Sequence, residues 1–198
     1  MCEWGEVMSE SVDCLLAENA DILRDLAELL VRLDDDAFTS PADPCYGSTI
    51  GQQVRHAIEH AEAVLAAPCG SVDFHSRERD TATETIRAVA HRRLNELTEQ
   101  FDGMRRQGMQ DFALKVRHVV DSPDGQRDHW LDTSLSRELA FLQSHSVHHM
   151  ALIGMMASLC GVSVPEGFGV APSTRRYWAA QETAGGGDRV LHAASRAD

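Results

Sequence analysis

Residues 134–161 read SLSRELAFLQSHSVHHMALIGMMASLCG, and this stretch decides the fold. Its apolar residues Leu139, Phe141, Leu142, Val147, Met150, Ile153 and Met156 recur at helical spacing. Ser134 or Ser136 supplies an N-cap and Gly161 a terminating glycine, so one long helix is expected between them. Within five of its residues fall His145, His148 and His149. Residues four apart on a helix are separated by about 40° around the axis and stack on one face, so His145 and His149 can converge on one ion. His148 sits about 100° from His149 and about 60° from His145, so its expected role is hydrogen bonding beside that pair.

Working outward, the first helix is read from Met8, Val12, Leu15, Asn19, Ile22, Leu26, Leu29 and Leu33, which step by four and three. A second stripe at Leu16, Leu23 and Leu30 widens its apolar face beyond a two-stranded seam, so it packs against several neighbours. Asn19 interrupts the seam and reads as a polar residue that sets register or reaches water. Residues 34–47, with Pro41, Pro44 and three consecutive Asp, form a connecting loop. A second helix is capped by Ser48 or Thr49, buries Ile50, Val54, Ala57, Ile58, Ala61, Val64 and Leu65, and stops at Pro68, Cys69 and Gly70. It carries another histidine pair at helical spacing, His56 and His60. A third helix opens at Thr81, continues through Ile86, Val89, Ala90, Leu94, Leu97 and Phe101, and ends between Gly103 and Gly108.

Between Asp111 and Thr133 the period turns from helical to alternating, and Asp124 with Gly125 supplies a turn, so a short irregular hairpin is expected. Residues 162–178 fold back over the helices, and the run Gly185, Gly186, Gly187 marks a tail. The expected architecture is all-α: an antiparallel four-helix bundle with a short hairpin or irregular insert before the last helix. One domain spans 1–180, followed by a flexible tail at 181–198.

Composition limits the function. A chain of 198 residues, 43% hydrophobic and 25% charged, is one ordinary globular domain with decoration. It has no run near the roughly 18 apolar residues of a membrane span, so no membrane partner is expected. The balance of 18 basic and 31 acidic residues is −13, with no basic stripe, which opposes nucleic-acid binding. Cys2, Cys14, Cys45, Cys69 and Cys160 form no C-x-x-C pair, so neither a disulfide framework nor a cysteine zinc site is suggested. Residues 1–10 carry three Glu and no basic residue, unlike a secretory leader, and a cytoplasmic location is expected. No G-x-S-x-G, Walker loop or dinucleotide fingerprint occurs.

The histidines remain the informative residues. A third nitrogen from a facing helix would complete a three-histidine site with open positions, the arrangement used by catalytic zinc and related divalent ions. Periodicity leaves both helix-two histidines open and leans towards His60, which lies nearer the centre of the Val54, Ala57, Ala61 and Val64 stripe.

The run Ser48, Thr49, Ile50, Gly51, Gln52, Gln53, Val54, Arg55, His56, together with Ser144 to His149, resembles the DinB-like superfamily of four-helix metalloproteins, also described as metal-dependent hydrolases. The resemblance covers about residues 8–178. In that superfamily a helix-two histidine after a Gly-Gln start and an H-x-x-x-H on the fourth helix hold one divalent metal. The matching positions are His56, His145 and His149. Many members continue the double histidine with Arg, Gly and Gln, where this chain has Met150, Ala151 and Leu152. Arg77 to Thr81 and the run from Gly167 to Thr174 resemble an uncharacterised branch of the superfamily. Relatives include bacillithiol- and mycothiol-dependent transferases or isomerases, which implies a low-molecular-weight thiol as co-substrate, and dimers recur, which implies a homodimer. Ergothioneine-type sulfoxide synthases need a second large domain.

The resemblance therefore implies a metal-dependent hydrolase or thiol transferase acting on a small molecule, with Zn or Ni favoured by an all-imidazole set and Fe also compatible. His60, His148, Arg55, Arg77 and Arg79 are candidates to support the ligands or contact substrate. Arg77 and Arg79, with Asp80 and Glu84, read equally as recognition of an anionic group or as a capped, ion-paired helix start. Glu59, Glu138 and His148 are candidate proton carriers, and none is assigned. The alternative is a non-catalytic metal-binding module linked to stress, which a fourth protein ligand and no cavity would favour.

Overall fold

In the computed structural model, residues 4–67, 70–76 and 80–183 are described. In chain order they form α1 (Trp4–Arg32), α2 (Asp35–Thr39), a 3-10 turn (Asp43–Cys45), α3 (Ile50–Leu65), β1 (Ser71–Asp73), α4 (Thr81–Thr85), α5 (Arg87–Arg106), β2 (Ala113–Ser122), β3 (Gly125–Ser134), α6 (Leu135–Leu159) and α7 (Pro172–Thr183). The four long helices pack on one another: α1 against α5 and α6, and α3 against the same two. Each buries an apolar stripe, with Leu16, Leu23 and Leu30 from α1 and Val54, Ala57 and Val64 from α3. Leu94, Leu97 and Phe101 from α5 and Leu139, Leu142 and Ile153 from α6 complete this core.

The protein is mostly helical, but the all-α expectation is corrected by a three-stranded sheet of order β1-β2-β3. The hairpin is long and regular rather than short and irregular, pairing from Ala113↔Ser134 to Ser122↔Gly125 without a slip. Its loop is Pro123 and Asp124, and Gly125 takes φ 113°, a conformation side-chain-bearing residues rarely adopt. β1 adds to β2 in parallel, from Ser71↔Lys115 to Asp73↔Arg117. Local alternation cannot reveal that pairing. It forms because Val72 and Leu114, far apart in sequence, bury themselves in the same core.

Chain punctuation follows local chemistry. The Gly161 N–H donates to Ser158 O at 3.0 Å and the Val162 N–H to Ala157 O at 2.9 Å, a paired closure of α6 around a left-handed glycine. Gly108 and Met109 close α5 the same way on Arg105 and Met104. The single third helix expected from Thr81 to Phe101 is instead two, α4 and α5, broken at Ile86, whose φ −119° and ψ 98° are extended. The break lets α4 lie across α3: a Cβ on Gly51 would fall 2.0 Å from the Glu84 carbonyl oxygen. Asn19 ties α1 to α6 by donating from Nδ2 to Leu139 O at 3.1 Å, the register role expected of it. Beyond α6, Phe168 is buried and Gly169 presses on the α6 backbone at Ala151. α7 runs past the Gln181 boundary to Thr183, and the rest of the expected tail lies outside the described residues.

Candidate metal centre

Three successive residues at the start of α3 prepare the site. Gly51 admits the close approach of α4. Gln52 completes a capping box with Thr49: its backbone N–H donates to Thr49 Oγ1 at 3.0 Å, and its Oε1 accepts from the Thr49 N–H at 3.3 Å. Gln53 stands one turn before His56, on the same face, and its Oε1 accepts from His149 Nδ1 at 2.6 Å while its Nε2 donates to Ser48 Oγ at 2.8 Å. A carbonyl oxygen only accepts, so His149 donates from Nδ1, and in the neutral ring this leaves Nε2 with the lone pair a metal needs. Sequence reasoning passed over Gln53. Its only signal was the helical offset from His56.

α3 and α6 bring His56, His145 and His149 together, each offering one ring nitrogen, with all three atoms within 4.8 Å of one another. His56 Nε2 and His145 Nε2 are 2.9 Å apart. With metal–nitrogen bonds of about 2.1 Å, two imidazoles at right angles on one ion have nitrogens about 3.0 Å apart, and at a tetrahedral angle about 3.4 Å. The His56–His145 pair therefore matches the spacing of two nitrogens on one divalent ion, and the His149 nitrogen lies within 4.8 Å of both. The three rings are half-buried, and among the described residues no Cys, Asp or Glu joins the group.

His60 is the more buried of the helix-two pair, as periodicity implied, but it is not in the group of three. Its Nδ1 donates to the His56 carbonyl at 2.9 Å, and its ring stacks on His145 at 4.1 Å and Phe74 at 5.1 Å, so it packs the ligand rings from one side. His148 is exposed, with its ring 5.2 Å from His149. Arg55 is held between Glu59 at 2.6 Å and Glu84 at 2.8 Å, where two carboxylates engage its guanidinium. Asp80 caps α4, accepting from the Ala82 N–H and Thr83 hydroxyl, and these bonds, led by Thr83, hold its carboxyl below the usual carboxylate range. Arg77 and Arg79 lie outside the described residues.

An open cavity of about 640 Å³ lies beside His60, between α6 and the sheet, lined among others by Phe74, Arg117, Thr133, Glu138 and Phe141. Glu138 is buried, and its Oε1 accepts from Thr133 Oγ1 at 2.7 Å. Arg117 on the sheet side bridges Asp73 at 3.0 Å and Asp128 at 2.9 Å. Burial alone would raise the Asp73 carboxyl; the His75 and Ser76 backbone N–H groups, with Arg117, outweigh it and hold the group at about 2.

A family described as the mycothiol maleylpyruvate isomerase N-terminal domain matches residues 20–143. That span takes in His56 and α5 and ends two residues before His145. Among curated proteins, the chain is 27% identical over 106 residues to FK506-binding protein 5 of Rhizopus delemar, covering 54% of this chain and 27% of that protein. The chain thus aligns with about a quarter of that relative. No solved structure matches.

Proposed function

The chain belongs to the mycothiol maleylpyruvate isomerase N-terminal domain family, part of the DinB-like superfamily, and from that premise we propose a metal-dependent enzyme in which His56, His145 and His149 hold one divalent ion. The four long helices then form an antiparallel four-helix bundle of DinB type. The chemistry such an ion supplies when bound is Lewis acidity, which favours the deprotonated form of a water or thiol near neutral pH. Gln53 engages His149 at Nδ1, which leaves Nε2 as the ring nitrogen to meet the ion. His60 packs the His145 ring from one side and stacks on Phe74, and both line the neighbouring open cavity. The reaction class is hydrolysis or thiol transfer on a small molecule, with a low-molecular-weight thiol as co-substrate in the second case. Zn or Ni is favoured by the imidazole set and Fe is also compatible. The setting is the cytoplasm and the assembly a homodimer. Arg77 and Arg79 are the contacts for an anionic substrate group.

The observation that carries this reading is the convergence of three ring nitrogens, with no fourth protein ligand among the described residues, beside His60, which lines an open cavity. Metal analysis of untagged protein tests the first half: one ion per chain is expected, and His149→Ala is expected to lose it. A thiol-consumption screen with several electrophiles tests the second. Full metal retention in His149→Ala would refute the ligand set. An ion with no exchangeable ligand on azide or thiol titration would leave a non-catalytic metal-binding module.

A further inference from the structure

A second and larger cavity, about 850 Å³, opens between the C-terminal half of α6, the turn at Cys45 and Tyr46, and residues 164–170. Its walls are Leu152, Met155, Leu159, Val164, Phe168 and Val170, and among the described residues no charged side chain lines it. Ser158 does not make it polar, because its hydroxyl donates to the Gly154 carbonyl of its own helix at 2.9 Å. Gln53 also lines it, the same side chain that accepts from His149 Nδ1 at 2.6 Å. The apolar cavity and the ligand cluster therefore share one residue as their wall. The cavity beside His60 differs in kind, being lined by Arg117, Asp132, Arg137 and Glu138.

The apolar cavity is built into the fold. A Cβ on Gly169 would lie 2.5 Å from the Ala151 nitrogen, and one on Gly154 would lie 3.3 Å from Phe168 Cδ1, so two glycines let the Phe168 turn close tightly on α6. Met155 and Leu159 stay 56% and 65% exposed at the rim. Its volume falls in the range of about 300–1,000 Å³ typical of ligand sites.

We infer that this cavity takes the hydrocarbon body of the substrate, so that the compound acted on is an apolar aryl or alkyl electrophile, seated against Gln53 on the side of His149 that this glutamine holds. The purpose assigned to the cavity rests on the proposed enzyme reading; its ligand preference does not. The test titrates the full chain, treated with chelator, with the neutral fluorophore N-phenyl-1-naphthylamine. Saturable binding at one site per chain is expected, displaced by toluene and not by acetate. Met155→Glu and, separately, Leu159→Glu are each expected to raise Kd at least tenfold. Both positions are exposed enough to keep the fold, which circular dichroism checks. Leu131→Glu, in the cavity beside His60, is expected to leave Kd unchanged. An unchanged Kd in both α6 variants would overturn the inference. So would loss of probe binding as rising protein concentration drives dimerisation by light scattering, which would make a second copy the occupant. Because the probe is read without metal, failure of metal loading and failure of this cavity are seen separately.

Discussion

Gly51→Ala isolates the contact on which the start of the metal centre depends. In an exposed helix this change stabilises by about 1 kcal/mol, through the greater helix propensity of Ala. At Gly51 the added Cβ would meet the Glu84 carbonyl oxygen at 2.0 Å, the Glu84 carbonyl carbon at 2.9 Å and Phe38 Cε1 at 2.9 Å. Phe38 is fully buried and Glu84 contributes backbone, so neither neighbour is the loose end of a flexible side chain. α4 must retreat by roughly 1–1.5 Å to restore ordinary contact. Overpacking of this kind costs about 1–3 kcal/mol, occasionally more, and two rigid neighbours place it at the top of that range. Net of the propensity gain, about 2 kcal/mol is lost, which for a chain of this size lowers Tm by about 4–8 °C. Thermal melts followed by far-UV circular dichroism measure it. Gly154→Ala is the comparator, because its Cβ meets only side chains, the nearest at 3.3 Å, and its loss is expected to stay below about 1 kcal/mol. A Gly51→Ala protein as stable as the parent, or more so, would refute the reasoning that α4 is seated on that glycine.

Gln53→Leu removes the acceptor for His149 Nδ1 and is expected to weaken metal binding about 10–100-fold in a chelator competition, with the melt little changed; equal affinity would remove Gln53 from the site. The Asp73 carboxyl is held at about 2 against 3.8, so the stability it contributes, about 1 kcal/mol once solvent screening of this partly exposed pair is counted, is present above pH 4 and is lost as pH falls towards 2. The difference in denaturant midpoint between the parent and Asp73→Asn should therefore shrink across that window, and a difference that grows there would contradict it. Duplex DNA is expected not to bind at physiological salt, as the −13 charge implies, and a salt-sensitive gel shift near micromolar protein would overturn this.

Features set by neighbours in the chain were legible in the amino-acid order. The apolar periods of α1, α3 and α6, the Thr49 cap, the Gly161 terminus and the turn before Gly125 each depend on a few adjacent residues and the backbone geometry they prefer. The histidine pairs at helical spacing belong to the same class, since the helix alone puts His145 and His149 on one face. Burial was also legible on one helix: the stripe through α3 ranked His60 as more buried than His56, and it is. What periodicity could not decide was which of the two meets α6, because that depends on how the helices cross, and the crossing brings His56 rather than His60 into the group. Three further features needed the tertiary structure for the same reason. β1 pairs with β2 where Val72 and Leu114 share a core and Arg117 bridges to Asp73. The helix breaks at Ile86 where α4 turns to lie against Gly51. Gln53 matters because His149, 96 positions away, lies within hydrogen-bond reach. Local propensity acts through bonds and adjacent side chains, whereas these contacts join parts of the chain that only the packed core brings together.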